Sequence, residues 1–170
     1  GLFCVAGRLF MPSLPADSPF NVADRMLKQM PTTTKVIVCD VHAEATSEKV
    51  AMGWHLDGRA SIVFGTHTHI PTADARILPG GTAYITDLGM CGPYDSVLGR
   101  RTDAVLSWMT GHRPQPFDVA TGNARLCGVI VDVDETTGKA THIERYESTP
   151  LHVEQAYDAE DSQSYEEPED

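Results

Sequence analysis

The chain has 170 residues, 41% of them hydrophobic and 22% charged, which is ordinary for a globular protein with one domain-sized core. Its formal net charge of −11 argues against binding nucleic acid through bulk positive charge. The apolar runs are too short to cross a membrane, and residues 1–5 lack the features of a signal peptide. Because residue 1 is not Met, we expect the sequence to start inside a longer protein.

The first half of the chain predicts strands that alternate with helices. Its strands are short apolar runs, and its helices have apolar stripes between capping residues. The predicted elements are a strand at 2–6, a helix from the cap Asn21 to Pro31, a strand at 35–41, a helix at 47–57 capped by Thr46 or Ser47 and closed by Gly58, and a strand at 61–64.

The second half predicts more antiparallel structure. Its elements are two short strands around the turn at 79–81, one or two helices within 95–110 with Thr102 as a cap and Val105, Leu106, Trp108 and Met109 as the apolar side, and a β-hairpin at 126–147. Together the elements predict an α/β domain with a mixed sheet over residues 1–150. Eight of the 24 acidic residues and no Lys or Arg lie in 151–170, which we expect to be a disordered tail.

The four cysteines have wide spacings and no CxxC pair. Cys39 and Cys127 lie inside apolar strand-like runs, where a free thiol acts as a small hydrophobic group. We therefore expect buried, reduced thiols and a cytoplasmic protein.

Histidines follow two of the predicted strands. His42 comes after the strand at 35–41, and His67 and His69 come after the strand at 61–64. In an extended segment, residues i and i+2 point the same way, so the pair should project to one side. The carboxyl ends of neighbouring parallel strands share one edge of a sheet, which brings His42 to the same place. Three imidazoles there would suit a transition metal.

Simpler interpretations stay open for these residues. A histidine at a strand end is commonly a surface or hydrogen-bonded residue, and the nearby Asp40 and Glu44 could serve in caps and loops. The other histidines have no such neighbours, and we expect surface positions for them: His55, His112, His142 and His152.

Residues 40–99 resemble the YmdB-like branch of the calcineurin-like metallophosphoesterases. The similar motifs are HAEATSEK from His42, GTHTH from Gly65 and TAYITDLGMCGPYD from Thr82, and the likeness extends to about Tyr146. The resemblance implies an α/β sandwich of the metallophosphoesterase type. It also implies two divalent transition-metal ions (Fe, Mn or Zn) and hydrolysis of phosphodiesters such as cyclic nucleotides.

The resemblance further implies that His42 is an isolated metal ligand and that His67 and His69 are paired ligands. Candidates to orient these rings are Asp40, Glu44, Asp74 and Asp87, and Tyr84 and the loop at 89–92 could line the site unless Tyr84 belongs to the core. The family's first Asp, its Glu-Asn pair and its Gly-Asn-His segment are absent from these 170 residues. Because that last segment holds the expected general acid, we assign no catalytic residue here.

The chain is therefore expected to hold only part of the site, to bind at most one metal ion weakly, and to be inactive alone although the intact protein is an enzyme. An incomplete sheet should also favour homo-oligomers. The alternative is a non-catalytic metal-binding or interaction module without the first half. A barrel hydrolase with an HxH motif is disfavoured, because 170 residues are too few for eight βα units.

Overall fold

A computed structural model describes residues 1–11, 17–111, 116 and 118–149. The predicted tail at 151–170, together with His112 and His152, lies outside the described residues. The chain divides into two compact units, one made of Gly1–Gly89 and Gly128–Tyr146 and the other of Met90–Cys127 with Glu147–Asp170.

The first unit is built on a five-stranded mixed sheet. Its strands, in chain order, are β1 (Leu2–Ala6), β2 (Val38–His42), β3 (Ile62–Thr66), β4 (Arg76–Ile77) and β5 (Ala83–Ile85). They lie in the order β1-β2-β3-β5-β4, and every pair is parallel except β4 with β5. The mixed α/β class predicted from the sequence is confirmed, as is the antiparallel pair around the Pro-Gly-Gly turn.

Two helices accompany this sheet, α1 (Pro19–Gln29) and α2 (Thr46–Leu56). Neither helix has a side-chain cap, so the predicted caps at Asn21, Thr46 and Ser47 are wrong. Pro19 opens α1 because its fixed φ suits a first helical position, and this moves the start two residues upstream of Asn21. Gly58, with φ of 75°, follows α2 as predicted.

The core of the first unit lies between the sheet and these helices. Its buried residues include Val41 and Val63 from the strands, Met52 and Leu56 from α2, and Tyr84 from β5. The apolar stripe of α1 packs against them, as its sequence periodicity predicted: Val22, Met26, Leu27 and Met30. This packing holds the parallel strands in place and so positions the residues at their carboxyl ends.

The second unit contains a strand, β6 (Gly92–Pro93), and a helix, α3 (Thr102–Met109). Thr102 is the first helical residue, with Arg101 at the cap position. The predicted apolar side of α3 is only partly correct. Ala104 and Val105 are buried, whereas Leu106, Trp108 and Met109 are all more than half exposed.

A long hairpin follows α3, formed by β7 (Ala124–Val133) and β8 (Ala140–Ser148). With β6 these strands make a three-stranded sheet in the order β6-β7-β8. Side chains alternate along β7 as in a strand with one covered face, since Val129, Val131 and Val133 are less exposed than Ile130 and Asp132. Among the residues that the structure describes, none of the helices combines the length and apolar character needed to cross a membrane.

Candidate metal centre

His42 and His67 meet where β2 and β3 end. The two strands are parallel, and His42 is in register with Thr66, so the residue after β3 lies beside the last residue of β2. The Nδ1 atom of His67 is 3.1 Å from the Nε2 atom of His42, and the ring planes are nearly perpendicular, at 79°. The predicted meeting of these two histidines at one edge of the sheet is thus present in the structure.

The other nitrogen of His42 is oriented by a short chain of hydrogen bonds. The Thr66 hydroxyl donates to an oxygen of Asp40 at 2.8 Å, and the same hydroxyl lies 3.0 Å from Nδ1 of His42. Because a hydroxyl has a single proton, the His42 Nδ1–H must be the donor in the second bond. In a neutral His42 ring, Nε2 then carries a lone pair that faces His67.

The other nitrogen of His67 is held by a carboxylate. Nε2 of His67 lies 3.1 Å from Oε2 of Glu44, and an ionised carboxylate can only accept. This ion-pair contact does not determine which nitrogen of a neutral His67 carries the proton. Of the four acidic residues expected near the site, Asp40 acts on an imidazole through Thr66, and Glu44 acts on one directly.

Because Nε2 of His42 is an acceptor, the hydrogen bond between the two rings has the Nδ1–H of His67 as its donor, across 3.1 Å. A metal ion bound here would take the place of this proton between the two nitrogens. Zn–N bonds are about 2.0–2.1 Å long, so two nitrogens on one tetrahedral ion lie roughly 3.3 Å apart. The donor atoms, their outer partners and their separation all fit a transition-metal ion.

The HxH pair does not have the geometry expected from its spacing. β3 ends at Thr66, and His67 and His69 have positive φ values of 90° and 68°. The segment is therefore a turn, and the argument from i and i+2 in an extended chain is wrong. The ring of His69 is exposed and has no hydrogen bond or ion pair to any described residue. Across the described ranges, no group of three or more His, Cys, Asp or Glu side chains is arranged to hold a metal ion.

Asp87 lies beneath this turn and contacts no imidazole. One of its oxygens accepts from Lys49 Nζ at 2.7 Å and from the Thr68 hydroxyl at 2.6 Å, and the other accepts from the Gly89 amide at 2.8 Å. Burial alone would raise the pKa of Asp87, but these donors outweigh it and hold the pKa below its ordinary value. Lys49 and Asp87 are both only 1% exposed, so this is a fully buried ion pair.

Asp74 and Tyr84 belong to a neighbouring polar network. Asp74 accepts from the hydroxyls of Thr72 and Thr86 and from the Thr86 amide. Burial opposes ionisation of Asp74, yet these bonds keep its pKa below the ordinary value. Tyr84 is buried in the core with its hydroxyl on Thr86, so the core interpretation of Tyr84 is the correct one.

The remaining described histidines lie elsewhere. His55 pairs with Asp24 and stacks edge-on against Phe20, and His142 is exposed on β8 beside Glu144. The predicted surface position holds for His142, whereas His55 is only partly exposed because it packs between Asp24 and Phe20.

Lys49 was not recognised from the sequence as a residue of the site. A signal was nevertheless present, because Lys49, Met52 and Leu56 follow the i, i+3, i+7 spacing of the buried face of α2. A lysine on such a stripe needs a buried partner. The partner, Asp87, is 38 residues away in the sequence, so only the fold could reveal it.

The HAEATSEK and GTHTH motifs lie at the ends of two adjacent parallel strands, and the family with these motifs is of the metallophosphoesterase type, which implies divalent metal ions. The chain belongs to the YmdB-like protein family, whose sequence model matches residues 1–146.

Sequence relatives agree with this assignment. A Bacillus subtilis (strain 168) protein named 2',3'-cyclic-nucleotide 2'-phosphodiesterase is 52% identical over 139 residues, which is 82% of this chain and 52% of the relative. A Mycoplasma pneumoniae protein named putative phosphatase/phosphodiesterase is 38% identical over 144 residues, covering 82% of this chain and 50% of the relative. The chain thus spans about half the length of these curated relatives.

Solved structures show the same fold. A hypothetical protein from Thermus thermophilus aligns with a TM-score of 0.78 at 44% identity, over 86% of this chain and 56% of that one. A Mycoplasma pneumoniae protein described as a novel phosphatase aligns with a TM-score of 0.77 at 35% identity, over 93% of this chain and 57% of that one.

Proposed function

We propose that the intact protein is a metal-dependent phosphodiesterase that acts on small phosphodiesters, with cyclic nucleotides as the first candidates. The main structural support is the pair of imidazole nitrogens that face each other across 3.1 Å. On the far sides of the two rings, Glu44 pairs with His67 directly and Asp40 is linked to His42 through Thr66. The relatives are named as a phosphodiesterase and a putative phosphatase/phosphodiesterase, which supports the reaction class. They also favour an enzyme over a non-catalytic module.

We assign His42, His67 and His69 as the metal ligands of this chain. The first two have the required neighbours, and His69 lies on the same turn with its ring free of other described partners. Two divalent ions would complete the site of the intact protein, and imidazole ligands suit Fe, Mn and Zn. When bound, such ions neutralise the negative charge that develops on the phosphoryl oxygens.

This chain's own contribution is to hold and orient the ligands. Asp40, through Thr66, fixes the tautomer of His42, while Glu44 forms an ion pair with Nε2 of His67. No described side chain is assigned as the general acid. We therefore propose that the 170-residue chain binds at most one ion weakly and has little or no activity alone.

The experiment compares the full-length protein with the 170-residue chain on a 2',3'-cyclic nucleotide, before and after dialysis against EDTA. The full-length protein should hydrolyse the substrate, lose activity with the metal, and lose most of it in His67→Ala. A matched His142→Ala variant should keep full activity, because His142 is exposed on β8, where its ring pairs with Glu144. Undiminished activity in the metal-free full-length protein would refute metal dependence. Equal activity of the 170-residue chain would refute the proposal that this chain holds only part of the site.

We place the protein in the cytoplasm because all four cysteines are free, with Cys39 and Cys127 buried as expected and Cys4 and Cys91 exposed. Burial raises the pKa of Cys39 to about 12, so this thiol is unreactive at neutral pH. The substrate is a small phosphodiester, and we expect no bulk nucleic-acid binding.

A further inference from the structure

The turn that contains the paired histidines has an unusual backbone. His67 and His69 both have φ in the left-handed region, and Thr68 lies between them. Residues other than glycine adopt this region only when surrounding contacts impose it. A turn of this kind, directly after β3, must therefore be anchored by specific bonds, and its anchor determines where the two imidazoles lie.

The anchor is the middle residue of the turn. The Thr68 amide donates to Oδ2 of Asp87 at 3.2 Å, and its hydroxyl donates to the same oxygen at 2.6 Å. Lys49 Nζ donates to the Thr68 hydroxyl at 3.0 Å and to Oδ2 of Asp87 at 2.7 Å. Thr68, Lys49 and Asp87 thus form a closed triangle in which backbone and side chain of Thr68 are both bound.

The triangle is itself rigidly supported. Lys49 comes from α2 and passes under Gly65, where a Cβ would lie 2.7 Å from the lysine Cδ. Two further hydrogen bonds hold Asp87 in place. Its amide donates to the Thr72 hydroxyl at 3.0 Å, and its second carboxylate oxygen accepts from the Gly89 amide. No buried side-chain nitrogen or oxygen in the described part of the chain lacks a partner.

We propose that Lys49 and Asp87 are positioning residues for the candidate metal centre, acting through Thr68. They hold the turn so that Nδ1 of His67 faces Nε2 of His42. This inference rests on the proposed function, because it concerns the same histidines. It assigns these residues no contact with substrate or metal.

The direction of the contacts supports positioning over simple stabilisation. A buried ion pair by itself is weak evidence for stability, because apolar residues of similar size often replace one without loss. Here both members of the pair bind the same residue, Thr68, which lies between His67 and His69 in the sequence. Apolar substitutes could fill the space but could not bind the amide and hydroxyl of Thr68.

The test uses Thr68→Val, which removes the hydroxyl while keeping the shape of the side chain, and Lys49→Met, which removes the cation. Thr82→Val is the matched control: the hydroxyl of Thr82 is buried and donates to the Ala60 carbonyl at 2.6 Å, at the opposite end of β5. Two properties are measured on the 170-residue chain, the affinity for Co²⁺ from its absorption spectrum and the ¹⁵N chemical shifts of the histidine rings without metal.

We expect Thr68→Val to bind Co²⁺ about tenfold more weakly than the wild-type chain. Removal of a group that orients a metal ligand commonly weakens metal binding by about 10- to 100-fold, and this is the low end of that range. It should also shift the ring signals of His67 and His42. Thr82→Val should lower the melting temperature and leave both readouts unchanged. If Lys49→Met folds, it should weaken Co²⁺ binding and shift the ring signals at least as much as Thr68→Val does. The conclusion depends on Thr68→Val alone.

Unchanged ring signals in Thr68→Val would overturn the positioning proposal, whether or not metal binds. If the wild-type chain binds no Co²⁺ while Thr68→Val still shifts the rings of His67 and His42, the positioning proposal stands and the metal assignment of this chain fails. The two failures are therefore distinguishable.

Discussion

His67 and His42 face each other through Nδ1 and Nε2 at 3.1 Å, although 25 residues separate them in the sequence. Each ring uses its other nitrogen on an outer partner, Glu44 for His67 and Thr66 for His42. The facing nitrogens are thus the two ring atoms left to share a cation. Buried groups beneath the two strand ends hold this arrangement, and their contributions can be measured one by one.

The ion pair of Lys49 and Asp87 should show strong coupling in a double-mutant cycle. Lys49→Met leaves a buried carboxylate without its cation, and we expect it to lower the free energy of unfolding by about 3–5 kcal/mol. Adding Asp87→Leu should restore only part of that loss, because the unpaired charge is removed while the amides of Thr68 and Gly89 lose their acceptor. Urea denaturation of Lys49→Met, Asp87→Leu and the double variant measures the coupling, and simple additivity of two large losses would contradict it.

Gly65 should tolerate no side chain. A Cβ at this position would overlap the carbonyl oxygen of Thr86 and press on Lys49. We expect Gly65→Ala to lower the free energy of unfolding by about 3 kcal/mol, the upper range for an overfilled core. Gly128→Ala is the control, because its Cβ would meet open space, and a gain of about 0.5 kcal/mol is expected in a strand. Equal stability of the two variants would show that β3 and β5 are not packed as described.

Asp74 should stabilise the fold only while it is ionised. Its pKa in the folded state lies below the ordinary value of about 3.9, so its contribution is complete above that value and is lost as pH falls through the lowered pKa. Asp74→Asn should cost about 2 kcal/mol at pH 7, since charged hydrogen bonds are lost. Denaturation between pH 7 and pH 2 should show the difference from wild type shrinking below about pH 4. A difference that stays constant over this range would contradict the assignment.

The exposed edge of the five-stranded sheet should promote self-association. Among the described residues, β1 pairs only with β2, and Leu2 on β1 is 73% exposed. Unpaired strand edges recruit other chains, and charged side chains prevent this. Sedimentation velocity should therefore show oligomers that increase with concentration, and Leu2→Lys should shift them towards monomer. A monodisperse wild-type monomer at all concentrations would refute the expectation.

The sequence could predict what depends on local pattern. Apolar runs located β1 and the hairpin, and Gly58 marked the end of α2, because these signals act over a few residues. Helix starts were missed by one to three residues, since no side chain caps α1 or α2 and a proline begins the first.

The candidate site was only partly predictable. Strand ends indicated that His42 and His67 would meet, but the spacing of His67 and His69 predicted an extended segment where the chain turns. That turn depends on Lys49 and Asp87, which are distant in sequence and meet only in the folded core. Tertiary contacts of this kind override local periodicity.

The metal content of the purified full-length protein tests the proposed metal site most directly, when elemental analysis compares it with His67→Ala and the control His142→Ala. We expect a transition metal in the wild type and in His142→Ala, and a clear loss in His67→Ala, whose remaining ligands cannot retain it. Equal metal content in all three proteins, or none in the wild type after metal-supplemented growth, would contradict the assignment of His42 and His67 as a metal site.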